Sequence, residues 1–197
     1  PTIAKYTDNY IIMMSGSKMF SYAGQRIAII AISDTLYHRE YPLLPVWYKM
    51  SRLGDAYVFA VLYAVSSGAT HSAQYALAEM LRAAADGELD FVSSAAEYAR
   101  RAKISKKIFL DNGFHIVYSM DGDEPVSDGF FYTVGYKDMS SGELMAELIR
   151  YGMATIALST TGSRQNGVRV CVSQLNRPEQ FDLLEERLRL FAADHKR

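Results

Sequence analysis

The twelve residues Ser15-Gly16-Ser17-Lys18-Met19-Phe20-Ser21-Tyr22-Ala23-Gly24-Gln25-Arg26 follow directly on an apolar run, Tyr10-Ile11-Ile12-Met13-Met14, and lead into a second, Ile27-Ala28-Ile29-Ile30-Ala31-Ile32. Both runs are short and rich in β-branched residues, the pattern of strands buried on both faces. The segment between them therefore starts at the carboxyl end of a strand, where ligands gather in open α/β sheets. Its side chains suit an anion. Serine hydroxyls and a glycine can donate to phosphate oxygens, and the planar fork of Arg26 matches them. Lys18 sits among these groups. An amine that is partly desolvated and close to another cation loses its proton more easily, the state needed to attack an aldehyde and form a Schiff base. From these residues alone a second reading stands beside the first: a surface loop with an ordinary lysine and an arginine that pairs elsewhere, since Ser/Gly loops are common.

Working outward, Asp34 can cap a short helix that ends before Pro42, and Pro42 and Pro45 mark an irregular stretch that holds Trp47 and Tyr48. Helices are predicted over about 57–66 and 72–86, split by Gly68, with Ser72 as the cap of the second and Gly87 as its stop. A long helix is predicted over about 90–112, because Phe91, Ala95, Tyr98, Ala102, Ser105 and Phe109 step by fours and threes onto one face. Gly113 ends it. The pattern then changes to strand-like runs at 114–118, 130–136, 153–159 and 168–173. Among them Ser140-Ser141-Gly142-Glu143 opens a helix through Tyr151 as a capping box, with Gly152 as its stop. A last helix starts near Pro178 and carries the stripe Phe181, Leu184, Leu188, Phe191.

The fold class expected is α/β: parallel-type strands with helices, then an α+β unit. Two strands are too few for a sheet of ordinary size. With a start at Pro1-Thr2-Ile3 that shows neither methionine nor signal pattern, this reads as a truncated or processed beginning.

Composition narrows the function classes. A net charge of −1 over 197 residues gives no electrostatic footprint for nucleic acid or anionic lipid. No apolar run reaches the roughly 18 residues that a membrane span needs. The single cysteine, Cys171, rules out an intrachain disulfide and suits a reducing cytoplasm. It reads as a small buried residue rather than a nucleophile. His38, His71, His115 and His195 have no metal-ligand spacing among themselves or with Cys171, so no metal site is expected. Ser66 to Ser72 form a polar loop before a helix, which reads as a capped helix start or an anion site.

The Ser15–Arg26 segment resembles the cofactor-lysine motif of the class I/II pyridoxal-phosphate-dependent aminotransferases: Ser-x-Ser-Lys, seven residues, Arg. Ser15, Ser17, Lys18 and Arg26 match in identity and spacing, and Ala23-Gly24 before Gln25-Arg26-Ile27 matches too. Ala28 departs from the glycine that many members carry. Asp128-Gly129-Phe130-Phe131-Tyr132 resembles the family's Gly-x-Phe-Tyr strand, and Gly167-Val168-Arg169-Val170 its strand bearing the arginine that clamps the substrate α-carboxylate.

The resemblance covers nearly the whole chain and implies the C-terminal portion of such an enzyme. Residues 1–88 would end the cofactor-binding large domain, 89–112 would form a connecting helix, and 113–197 an α+β small domain. Lys18 would carry pyridoxal 5′-phosphate as a Schiff base, Ser15, Ser17 and Arg26 would bind the cofactor, and Arg169 the substrate. The partners implied are amino acids and 2-oxo acids, in a homodimer. The 66–72 loop would approach the neighbour's cofactor. The groups that hold the pyridine ring would come from sequence before Pro1.

Arg169 also stands on its own pattern. It alternates with Val168, Val170 and Val172 and so faces away from them, and an arginine inside such a strand needs an anion partner. That partner is a structural Asp or Glu or, on the resemblance, a substrate carboxylate. Arg164 in the polar loop 160–166 is the nearest rival. Transamination is the default among the reactions this lysine serves. A sensor or interaction domain without catalysis is the alternative, because a retained lysine and arginines favour cofactor binding without separating catalysis from sensing.

Overall fold

Strands β1 (Ile11–Ser15) and β2 (Ala28–Ile32) form a two-stranded ribbon in the computed structural model, which describes residues 2–126 and 129–196. Pro1 and Asp128 thus lie outside the described residues. The ribbon is antiparallel, with Ser15 opposite Ala28 and Ile11 opposite Ile32, where parallel-type strands were expected. The reason is the connection. A parallel crossover usually carries a helix long enough to cross the sheet face, whereas this link holds only helix α1 (Gly16–Met19) and a 3-10 turn at Ala23–Gln25.

Burial on both faces is also absent within this chain, since Ile11 is 45% and Met13 75% exposed. A small apolar cluster covers the ribbon's end, where Ile27, Phe20 and Ile29 meet Ala73 and Leu77.

The next elements are α2 (Asp34–Tyr37), α3 (Leu44–Tyr48), α4 (Leu53–Ala56), a π turn at Tyr57–Val61, α5 (Leu62–Ser66) and α6 (His71–Ala85). Three local expectations shift. Ser33, not Asp34, caps α2: its Oγ accepts from Leu36 N at 3.3 Å and donates to Asp8 O at 2.6 Å. Ser72 lies inside the first turn of α6, and Thr70 occupies the cap position. Trp47 and Tyr48 close a short helix rather than an irregular stretch.

The chain divides into two units, Pro1–Phe91 and Val92–Arg197. The long helix α7 (Phe91–Asp111) opens the second. There follow β3 (His115–Ile116), a hairpin of β4 (Met120–Asp121) and β5 (Glu124–Pro125), β6 (Phe131–Gly135), α8 (Ser141–Arg150), β7 (Ile156–Ala157), β8 (Val168–Cys171) and α9 (Pro178–Asp194). The four-stranded sheet has the order β3-β6-β8-β7, antiparallel throughout.

One face of this sheet buries Tyr132, Val134, Val168 and Val170 against Phe109, Leu144, Leu188 and Phe191 of the helices. The predicted capping box is present: Ser140 Oγ accepts from Glu143 N at 3.3 Å, and Glu143 accepts from Ser140 N at 2.9 Å. The strand expected at 153–159 shrinks to Ile156–Ala157, because Leu158–Thr161 turn into a 3-10 helix.

Candidate functional site

The closed end of the β1–β2 ribbon gathers the first group of candidates. Gly16 N donates to Ile27 O at 3.1 Å, which continues the ladder beyond the Ser15–Ala28 pair. Gly16 therefore lies against Ile27, and the residues from Ser17 to Arg26 form the loop that this bond closes. The approach is close: a Cβ on Gly16 would sit 3.2 Å from Ile27 O and 3.3 Å from Ile27 Cγ2. Ser15 caps α1 by accepting from Ser17 N at 3.3 Å, so its O–H proton remains a donor. Arg26 is held in left-handed backbone at φ +52, and its Nη1 donates to Ala23 O at 3.1 Å. Its Nε and Nη2 carry further N–H groups. Lys18 lies in the same turn as Ser17. Hydroxyls, a guanidinium fork and a primary amine within one tight loop are a donor set for a phosphorylated aldehyde. Lys18 is exposed, where a partly desolvated amine was expected.

Arg169 lies in the second unit, in the middle of β8, opposite Thr133 on one side and Ile156 on the other. Its neighbours Val168, Val170 and Val172 are all buried, and Arg169 is half-buried on the other face, as the alternation predicts. Its guanidinium carbon lies 4.3 Å from the centroid of the Phe131 ring. Among the described residues no acid forms a salt bridge with it. Arg169 and Phe131 line a cavity of about 610 Å³ together with Thr155, Ile156 and Leu184. The hydroxyl of Thr155 is buried there without a hydrogen-bond partner among the described residues. Arg164 is exposed in its loop.

Cys171 is exposed, not buried as expected. It shares the Arg169 face of β8, and its Sγ lies 3.1 Å from Ser173 Oγ. Phe131 is the residue that sequence reasoning passed over. Of the run Phe130-Phe131-Tyr132 only Tyr132 is buried. Strand alternation on β6, once paired with β8, puts Phe131 on the arginine's side. Glu97 of α7 has its carboxyl lowered to about 2 by hydrogen bonds from Arg100 and Arg101. Arg101 in turn donates to Ser173 O at 3.1 Å, tying α7 to the chain just beyond β8. Among the described residues no group of histidine, cysteine and carboxylate side chains is placed to hold a metal ion. None of their helices is long and apolar enough to cross a membrane.

Residues 1–186 match the family model for aminotransferase class I and II. The chain belongs to this family. Its members depend on pyridoxal 5′-phosphate. Among solved structures, YbdL from Escherichia coli, described with a methionine aminotransferase function, superposes with a TM-score of 0.69 at 17% identity, over 96% of this chain and 44% of that one. L-threonine-O-3-phosphate decarboxylase from Porphyromonas gingivalis superposes with a TM-score of 0.56 at 18% identity, over 96% of this chain and 48% of that one. These likenesses are of fold, and this chain spans less than half the length of either structure. No curated protein matched the sequence.

Proposed function

We propose that the protein is an aminotransferase in which Lys18 holds the cofactor covalently, Ser15, Ser17 and Arg26 hold its phosphate, and Arg169 binds the substrate carboxylate. The observation that carries this reading is the closed ribbon end, where the backbone hydrogen bond from Gly16 to Ile27 closes the segment bearing Ser15, Ser17, Lys18 and Arg26 into one loop. The donor set fits the cofactor: hydroxyls and a guanidinium fork for the phosphate, a primary amine for the aldehyde. Pyridoxal phosphate supplies the aldehyde and the electron sink for charge developing at the substrate α-carbon. With the cofactor bound, the Lys18 amine would hold its aldehyde and would serve as the base that moves the substrate α-proton. Arg169 orients the amino acid or 2-oxo acid by a bidentate grip on its carboxylate, and the lack of a described acid partner supports that role.

The first unit then ends the cofactor-binding domain and the second is the small domain, with α7 as the link. The working assembly is a homodimer. Trp47, Phe59, Tyr63 and Val65 are large apolar side chains exposed on this chain, of the kind assemblies cover. A reducing cytoplasm suits the exposed Cys171.

The test is borohydride reduction of the protein at its full natural length with the cofactor, followed by peptide mass mapping. The reduced adduct is expected on Lys18 and absent in Lys18→Ala. An adduct that persists in Lys18→Ala overturns the assignment.

A further inference from the structure

Arg has large rotamer freedom, and holding its fork in one orientation before an anion arrives lowers the cost of binding. The structure contains a device for this. In the β6–β8 register Phe131 stands opposite Cys171 and Thr133 opposite Arg169, so Phe131 and Arg169 are diagonal neighbours on one face. Aromatic side chains bridge such diagonals. The Phe131 ring does so, with its centroid 4.3 Å from Arg169 Cζ. Ile156, directly opposite Arg169 on β7, adds an apolar neighbour. A guanidinium lying flat over a ring keeps its N–H groups, which point outward in its plane, free for an anion.

We propose that Phe131 is a positioning residue: stacked on Arg169, it holds the guanidinium fork ready for the substrate carboxylate. This rests on the reading of Arg169 given above. It makes the grip depend on a ring that touches no reacting atom.

The test uses the protein at its full natural length, loaded with cofactor, and two probes followed by the visible absorption of the cofactor. One is 2-methylalanine, whose quaternary α-carbon has no proton to lose. The other is isopropylamine, the same skeleton without the carboxylate. Phe131→Leu is expected to weaken 2-methylalanine binding about fivefold to thirtyfold and isopropylamine binding less than about twofold. Phe131→Tyr keeps the ring face and is expected to bind 2-methylalanine like the parent. In an Arg169→Lys background the leucine substitution should add less than about twofold.

Phe131→Met, which keeps apolar volume without a ring, carries the same expectation if the leucine variant does not fold. Equal weakening of both probes by Phe131→Leu or Phe131→Met would show a general packing role and overturn the proposal. Unchanged 2-methylalanine binding in those variants, beside a strong loss in Arg169→Lys, overturns the positioning role alone. Unchanged binding in Arg169→Lys overturns the reading of Arg169 itself.

Discussion

Gly167 stands immediately before β8, two residues from Arg169, and no other residue type fits it. Its φ is +144, a region that L side chains rarely adopt. A Cβ there would lie 2.6 Å from the carbonyl oxygen of Val134 and 2.8 Å from Val117 Cγ2. The first of these is backbone of the neighbouring strand β6 and cannot rotate away. The glycine's own groups are also engaged, since its N–H donates to Ser141 Oγ at 3.1 Å and its carbonyl accepts from Leu158 N at 3.0 Å. Gly167→Ala therefore combines backbone strain of about 1–3 kcal/mol with overpacking of about 1–3 kcal/mol, together about 2–6 kcal/mol. At about 4 °C per kcal/mol for a domain near 100 residues, the melting temperature should fall by roughly 8–24 °C. Gly142→Ala is the control. It sits in the first turn of α8 with nothing within 4 Å of an added Cβ, and should be neutral or stabilising by up to about 1 kcal/mol. Thermal unfolding followed by circular dichroism decides the matter. A Gly167→Ala protein that melts within about 2 °C of the parent would refute the argument that β6 and β8 are locked here.

Three further outcomes are expected. Arg169→Lys keeps the charge but loses the two-pronged geometry, so KM for amino acids should rise about tenfold or more with the melting temperature nearly unchanged. A large loss of stability with normal kinetics in the folded fraction would make Arg169 structural. Glu97 has its carboxyl held at about 2 against an ordinary 4.5, so its stabilising contribution is complete above pH 4.5 and is lost as pH falls toward 2. Glu97→Gln should flatten the acid side of the stability profile in that window, and an unchanged profile would count against the Glu97–Arg100–Arg101 cluster. Ser140→Ala removes the acceptor for Glu143 N and should cost about 1 kcal/mol in denaturant unfolding. No loss would mean that the box contributes nothing to α8.

Local signals carried much of this fold into the sequence. The stripe from Phe91 to Phe109 marks α7, the Ser140–Glu143 box marks the start of α8, and the valines around Arg169 give the strand its two faces. What escaped was set by partners distant in sequence. Antiparallel pairing of β1 with β2 follows from the shortness of the link between them, not from either strand's composition. Exposure of Ile11 and Met13 depends on how little of this chain reaches the ribbon. The exposure of Cys171 follows from which face of β8 the helices cover, and residue type alone pointed the other way. At the candidate site, the spacing of Ser15, Lys18 and Arg26 was legible, but the hydrogen bond that closes the loop was not. The aromatic platform under Arg169 needed the β6–β8 register.

The placement of Cys171 has a practical side. It is the chain's sole thiol, it faces solvent, and it lies on the same side of β8 as Arg169. Same-face positions two apart along a strand are separated by about 7 Å. A small environment-sensitive dye attached through a maleimide would therefore sit beside the guanidinium without any engineered mutation. If Arg169 binds a carboxylate as proposed, the dye's emission would respond, and occupancy could be read in real time and independently of turnover.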